Sequence, residues 1–267
     1  MIFSLAFYLL ALALSTAALP ASSPVKSRQQ RANVITHCSV PNTAALTFAS
    51  LSYFPTASHS YEITRKLRAV NASATFFFNG DNYGCIYSNE GANRVKHVFE
   101  SGHQVASHTW AHRDLTTLSR NDTFGNILEA IQRITGALPA FMRPPYGNHN
   151  DLVREVSASR GQSIVLWDFD SGDSVGISVS GQKARYTQLS QRRPSNVLTL
   201  NHEVYAGLAR SNEVLPHAIY LLQKSGYRLV TVAECLGKSP YQSRKAPATR
   251  DVRNIFLLEY TTYRPLL

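Results

Sequence analysis

The chain has 267 residues, 44% of them apolar, enough for one sizeable domain with a real core. Its 27 Lys and Arg against 17 Asp and Glu give a formal net charge of +10. The basic residues are scattered, with no basic helix and no recognition module, which argues against nucleic acid and leaves a basic exported protein or one attracted to an anionic wall or membrane surface.

Residues 1–18 read as a signal peptide: an apolar run from Ile2 to Leu14, then the small residues Ser15, Thr16, Ala17 and Ala18. The run is too short for a comfortable membrane span, and no later stretch of about 20 apolar residues follows. The expectation is a secreted product, extracellular or in the cell wall, without a membrane span. Residues 19–33, rich in Pro, Ser, Gln and Arg, read as a flexible leader.

Short apolar runs then alternate with helical patterns. Ala44 to Phe48 reads as a buried strand, Tyr61 to Val70 as a helix, and Ala74 to Phe78 as a second strand. Arg94 to Ser101 is a helix stopped by Gly102, Gln104 to Ser107 a strand, and Phe124 to Thr135 a helix ending at Gly136. Phe141 to Arg143 is a strand halted by Pro144-Pro145, and Leu152 to Arg160 a helix closed by Gly161. Ser163 to Trp167 and Val197 to Leu200 are strands, Val214 to Lys224 a helix stopped by Gly226, and Arg228 to Val232 the last strand. The alternation predicts an α/β fold, a distorted (β/α) barrel of about seven parallel strands with helical crossovers. Polar residues sit just after strands at His108, Arg143, Asp168 and His202, where barrels of this kind carry their active face.

Each of these groups has an ordinary reading beside a chemical one. His108 and His112 are four apart, a spacing that on a helical turn lets two imidazoles grip one metal ion, though the pair alone could be accidental. Arg143-Pro144-Pro145-Tyr146-Gly147 is a stiff turn presenting an arginine, an aromatic ring and free amides, or simply a Pro-rich loop. Asp168, Asp170 and Asp173 follow a strand as candidate acids or as a solvated loop. His202 closes an apolar strand, as a catalyst or as a satisfied structural histidine. Asn71-Ala72-Ser73 and Asn121-Asp122-Thr123 are glycosylation sequons, open to use in an exported chain.

Together these segments resemble the polysaccharide deacetylase family (the NodB-homology domain, carbohydrate esterase family four), in particular its fungal chitin deacetylases. The resemblance spans residues 34–238, with 239–267 a divergent tail. It is carried by Ala-Thr-Phe-Phe-Phe-Asn-Gly (74–80), Gly-His-Gln-Val-Ala-Ser-His-Thr-Trp-Ala-His (102–112), Phe-Met-Arg-Pro-Pro-Tyr-Gly (141–147), Leu-Trp-Asp-Phe-Asp-Ser-Gly-Asp (166–173) and Leu-Asn-His-Glu (200–203). It implies a monomeric, metal-dependent hydrolase that removes acetyl groups from the N-acetylglucosamine units of chitin. The metal would be divalent, zinc first and cobalt second, held by His108 and His112. His202 would be the general acid, oriented by Asp170. Arg143 would steady the base, the Tyr146 amide would help hold the oxyanion, and Leu200, Tyr146 and Trp167 would contact substrate. The metal would acidify its water and polarise the carbonyl.

One family motif fails. Where the resemblance implies Thr-Phe-Asp-Asp-Gly-Pro, the chain reads Thr47-Phe48-Ala49-Ser50-Leu51-Ser52, so the base and the metal-binding aspartate are both absent. Two histidines fall short of the three protein ligands of a catalytic zinc. Residues 49–60, and those after Asp251, match nothing in the family, and both breaks are abrupt. Real loss of activity with a retained carbohydrate groove is one origin; a retained intron or misplaced splice site in an active gene is the other. Of the three cysteines, Cys38 and Cys235 flank the first and last barrel strands, which a closed barrel makes neighbours, so these two are expected to be bonded. Cys85 is expected to be outside a disulfide, since related proteins supply its partner from the C-terminal stretch that diverges here.

Overall fold

The computed structural model describes residues 30–50, 57–82, 84–120, 127–203 and 213–249. The signal peptide, most of the leader, the sequon at Asn121, the start of the helix expected from Phe124, residues 51–56 and the end of the tail lie outside them. In chain order the elements are β1 (Val34–Ile35), β2 (Thr43–Ala45), β3 (Thr47–Ser50), α1 (Ala57–Arg68), β4 (Thr75–Phe78), α2 (Asn89–Glu100), β5 (Gln104–Ser107) and α3 (Ile127–Thr135). There follow β6 (Ala137–Pro139), β7 (Phe141–Met142), α4 (Asp151–Ser159), β8 (Ser163–Val165), β9 (Phe169–Asp170), α5 (Val179–Arg192), β10 (Val197–His202), α6 (Val214–Lys224), β11 (Arg228–Val230), α7 (Val232–Leu236) and β12 (Tyr241–Arg244).

The main sheet is parallel throughout and runs β1-β8-β7-β5-β4-β3-β10-β2-β11, with β9 also paired to β10. This is the expected α/β architecture, with the strands β1 and β11 standing at the two ends of the order. The break between them is spanned by the disulfide Cys38–Cys235, whose Cα atoms are 5.2 Å apart, and by Ser39 and Val40 amides donating to the Cys235 carbonyl at 3.0 and 2.9 Å. The expected pairing is therefore present, and Cys85 is outside a disulfide.

Alternation along the strands separates two apolar layers. Ala45, Phe77, Ala106, Phe141, Val165 and Leu198 point into the barrel and pack together with Cys38 and Cys235. Phe48, Phe76 and Phe78 face the helices, packing with Ile63 and Leu67 of α1, Val95 and Val98 of α2, and Ile131 of α3. The Ala-Thr-Phe-Phe-Phe run thus serves both layers, which is why it reads as a continuous apolar stretch.

Residues just outside both expected domain edges are packed against the fold. Residues assigned to a flexible leader are packed: Ala32 is buried, its amide donates to the Arg154 carbonyl at 2.9 Å, and the Asn33 carbonyl accepts from Ile164 at 2.9 Å. Residues assigned to the tail add β12, antiparallel to β6, and the Tyr241 hydroxyl accepts from the Val105 amide at 3.1 Å. Composition marked these segments as polar, but backbone pairing needs no apolar side chains. Among the described residues, no helix is long and apolar enough to cross a membrane.

Candidate active site

The site residues gather beyond the carboxyl ends of β5, β7 and β10. His108 follows β5, and its Nδ1 bonds the Arg143 carbonyl at 2.7 Å, leaving Nε2 as the open nitrogen. The two histidines meet, with ring centroids 4.9 Å apart, but not on a helical turn as the spacing predicted. Thr109 and His112 have left-handed φ of 70° and 52°, and these two reversals fold the loop so that His112 returns over His108. Burial and the neighbouring His112 hold His108 well below the usual imidazole range, and burial with His202 lowers His112. Both rings are thus held neutral, the form that can donate a lone pair.

Tyr146 sits at a left-handed φ of 60° at the tip of the Pro-rich turn, 66% exposed, with its ring 5.0 Å from that of His112. Trp167 closes on the same turn: a side chain at Gly147 would meet its ring at 3.0 Å, and the Arg143 guanidinium lies 5.5 Å from its centre. Arg143 is fully buried. Its Nη1 donates to Thr47 Oγ1 at 2.6 Å, and Nε and Nη2 donate to the Val165 and Leu166 carbonyls at 3.2 and 2.8 Å. The Phe77 ring lies 4.4 Å away, and burial brings the guanidinium pKa down to about 9. Among the described residues no carboxylate pairs with it. Leu200 is buried in β10, two residues on from Leu198 of the barrel interior.

The partner of His202 is Asp173, not Asp170. Asp173 Oδ1 bonds His202 Nδ1 at 2.8 Å, and Oδ2 accepts the His202 amide at 2.6 Å. Asp170 instead accepts the Gly172 amide at 2.7 Å. Gly172, at φ 78°, reverses the chain between the two acids and turns the second one back onto β10. The glycine was the available signal. Asp168 stitches β10 by accepting the Leu198 amide at 2.8 Å, and burial raises its pKa.

The two positions of the missing acid pair open to opposite sides of β3. Ala49 is in register with Phe77 and His202 and faces the barrel interior. Ser50 is in register with Phe78 and faces the helices, where its hydroxyl meets the buried carboxyl of Glu203. Ser60 Oγ donates to that carboxyl at 2.9 Å, His59 Nδ1 bonds the Glu203 carbonyl at 2.8 Å, and Arg94 is close enough to act on it. Burial raises the Glu203 pKa against these partners. This cluster was not foreseen: Glu203 reads only as the last residue of the Leu-Asn-His-Glu segment.

The residues present do not fit a catalytic zinc. His108 and His112 offer two nitrogens, and among the described residues no group of three His, Cys, Asp or Glu is gathered. Residues 51–56 and 204–212, which adjoin the site in sequence, contain no such residue to complete the set.

Comparison with known proteins agrees with this fold. Residues 37–165 match the Polysaccharide deacetylase family. A chitin deacetylase of Colletotrichum lindemuthianum is 32% identical over 251 residues, covering 88% of this chain and 97% of that protein. One from a Pestalotiopsis species is 31% identical over 229 residues, covering 81% and 72%. The solved Colletotrichum lindemuthianum structure superposes with a TM-score of 0.72 at 28% identity, over 83% of this chain and 99% of that one. The chain belongs to the polysaccharide deacetylase family.

Proposed function

We propose that this is a secreted chitin-deacetylase-type protein that engages N-acetylglucosamine polymers and, with the sequence as it stands, does not hydrolyse them. The observation that supports this is Ala49. It occupies the interior-facing position in register with His202, where a carboxylate would have to stand to act on a water beside the histidines. A methyl group accepts no proton. The His202–Asp173 pair, the Tyr146 turn and Trp167 are present, so the groove keeps its leaving-group side and its aromatic wall while lacking a base.

The test is acetate release from chitin oligomers with added zinc or cobalt, beside binding of the same oligomers by calorimetry. The expected result is saturable binding with acetate release at background. Turnover comparable to an intact family member overturns the reading. The abrupt divergence of residues 49–60 from the family also favours a second origin, misplaced splicing of an active gene. Genomic DNA beside codon 48 tests it: an in-frame Asp-Asp-Gly-Pro there makes the encoded enzyme active, and its absence leaves the pseudoenzyme.

A further inference from the structure

The turn between α1 and β4 carries Asn71-Ala72-Ser73, a glycosylation sequon with no part in the site described above. Helix α1 stops at Arg68, and the chain reverses at Asn71, whose φ is 51°. A short polar side chain that can bond locally tolerates this left-handed backbone better than most. Both neighbours of Asn71 are tied down. The Val70 carbonyl accepts from Gln223 Nε2 of α6 at 3.2 Å, and the Ala72 amide donates to the Leu67 carbonyl at 3.0 Å. Asn71 itself is exposed, and its side-chain amide makes no hydrogen bond among the described residues. A bulky, hydrated glycan needs an anchor of this kind on the folded surface.

Position favours it as well. The sequon lies where β4 begins, and the candidate active site lies where the strands end. The four residues Thr75–Phe78, about 13 Å of chain, separate the two levels. Phe78 is in register with Ser107, which His108 follows. A glycan on Asn71 therefore leaves the histidines and the Tyr146 turn open to a polymer.

The third residue of the sequon is engaged across the fold. Ser73 Oγ donates to Glu234 Oε2 at 3.0 Å, and the Ser73 amide donates to the Leu229 carbonyl at 3.2 Å. The sequon demands a hydroxyl at its third position, so this is the group that the modifying enzyme reads. Once β11 and α7 are in place, the hydroxyl is taken. Glu234 lies 161 residues beyond Ser73. At ordinary rates of synthesis that is a delay of roughly 8–30 s, during which the turn is complete and its clamp has not been made.

We infer that Asn71 carries an N-linked glycan, attached to the growing chain before the β11–α7 segment closes on Ser73. The inference rests on the export proposed above. The donor is an oligosaccharide carried on a polyprenyl diphosphate. Asn71 Nδ2 forms a bond to C1 of the first sugar, the C1–O bond to the diphosphate breaks, and the proton lost by the amide leaves with the diphosphate.

Peptide mapping of the full chain secreted by a eukaryotic host tests it. Most copies of the Asn71 peptide should carry a glycan. Asn71→Gln and Ser73→Ala should each remove one glycan's mass, while Ser73→Thr keeps it. Folded, glycan-free protein from a bacterial host, given purified transferase and lipid-linked donor, should be modified at Asn71 at least tenfold less than the same chain reduced and unfolded. An unmodified Asn71 peptide in the secreted protein overturns the inference, and equal modification of folded and unfolded chain overturns the order of events. A chain retained in the cell refutes export alone; the same mapping with a host leader in place of residues 1–18 then decides Asn71.

Discussion

Ala49 and Ser50 adjoin in sequence, yet an aspartate at each would meet opposite environments. At 49 the carboxylate enters the barrel interior beside His202 and toward the fully buried Arg143, which has no acid partner among the described residues. At 50 it is pressed against the buried Glu203, where two carboxylates cannot both ionise. Ala49→Asp should therefore cost little stability in urea unfolding, because the buried Arg143 guanidinium offers its carboxylate a counter-charge. Ser50→Asp should lower stability by about 3–5 kcal/mol in the same measurement. Equal effects at the two positions would show that the face assignment is wrong. His103 carries a pH signature of its own. Its Nδ1 accepts the Ala74 amide at 3.2 Å, and burial depresses its pKa from 6.5 to about 4. A histidine with a depressed folded pKa stabilises the protein above pH 6.5 and loses that contribution as pH falls toward 4. The shift corresponds to about 3 kcal/mol. His103→Gln, which keeps an acceptor for Ala74 without titrating, should flatten the stability–pH curve over this window. A variant curve parallel to the parent would assign the acid sensitivity elsewhere.

At the level of elements, β10 organises the site because it touches β2, β3 and β9 and ends on His202. The hold on that histidine comes from the turn after β9. Asp173→Ala should cost about 2 kcal/mol, the worth of hydrogen bonds to a charged group. Asp170→Ala, which loses one turn bond to Gly172, should cost less. The reverse order in denaturant melts would restore Asp170 to the role the spacing suggested. The strands with continuous apolar runs and the helices with glycine stops were legible in sequence, because burial on both faces and left-handed termini leave plain residue patterns. The helix α5 was not: its buried face is Gln182, Tyr186 and Leu189, too polar to register as a stripe. Nor were β1, β6 and β12, two to four residues long, whose partners lie far away in the chain. The histidine pair was legible as a pair but not as a loop, since left-handed Thr109 and His112 carry no glycine to announce them.

Across the whole molecule, the sheet order leaves a seam between β1 and β11, and the Cys38–Cys235 bond crosses it, both cysteines fully buried. The sequence separation is 197 residues, so cross-linking removes about 5 kcal/mol of denatured-state freedom in the chain-entropy model. Cys38→Ser with Cys235→Ser should lose stability of that order in urea, and a loss under about 1 kcal/mol would mean that the seam holds without the bond. The same bond makes nearly the whole described chain a covalent ring. A protease that cuts once anywhere from residue 39 to residue 234 opens the ring without dividing the molecule. Nicked protein should therefore run as one full-mass species on a non-reducing gel and fall into two pieces only when thiol is added. A protein built this way can be cut in its loops and still keep every strand attached to its neighbours.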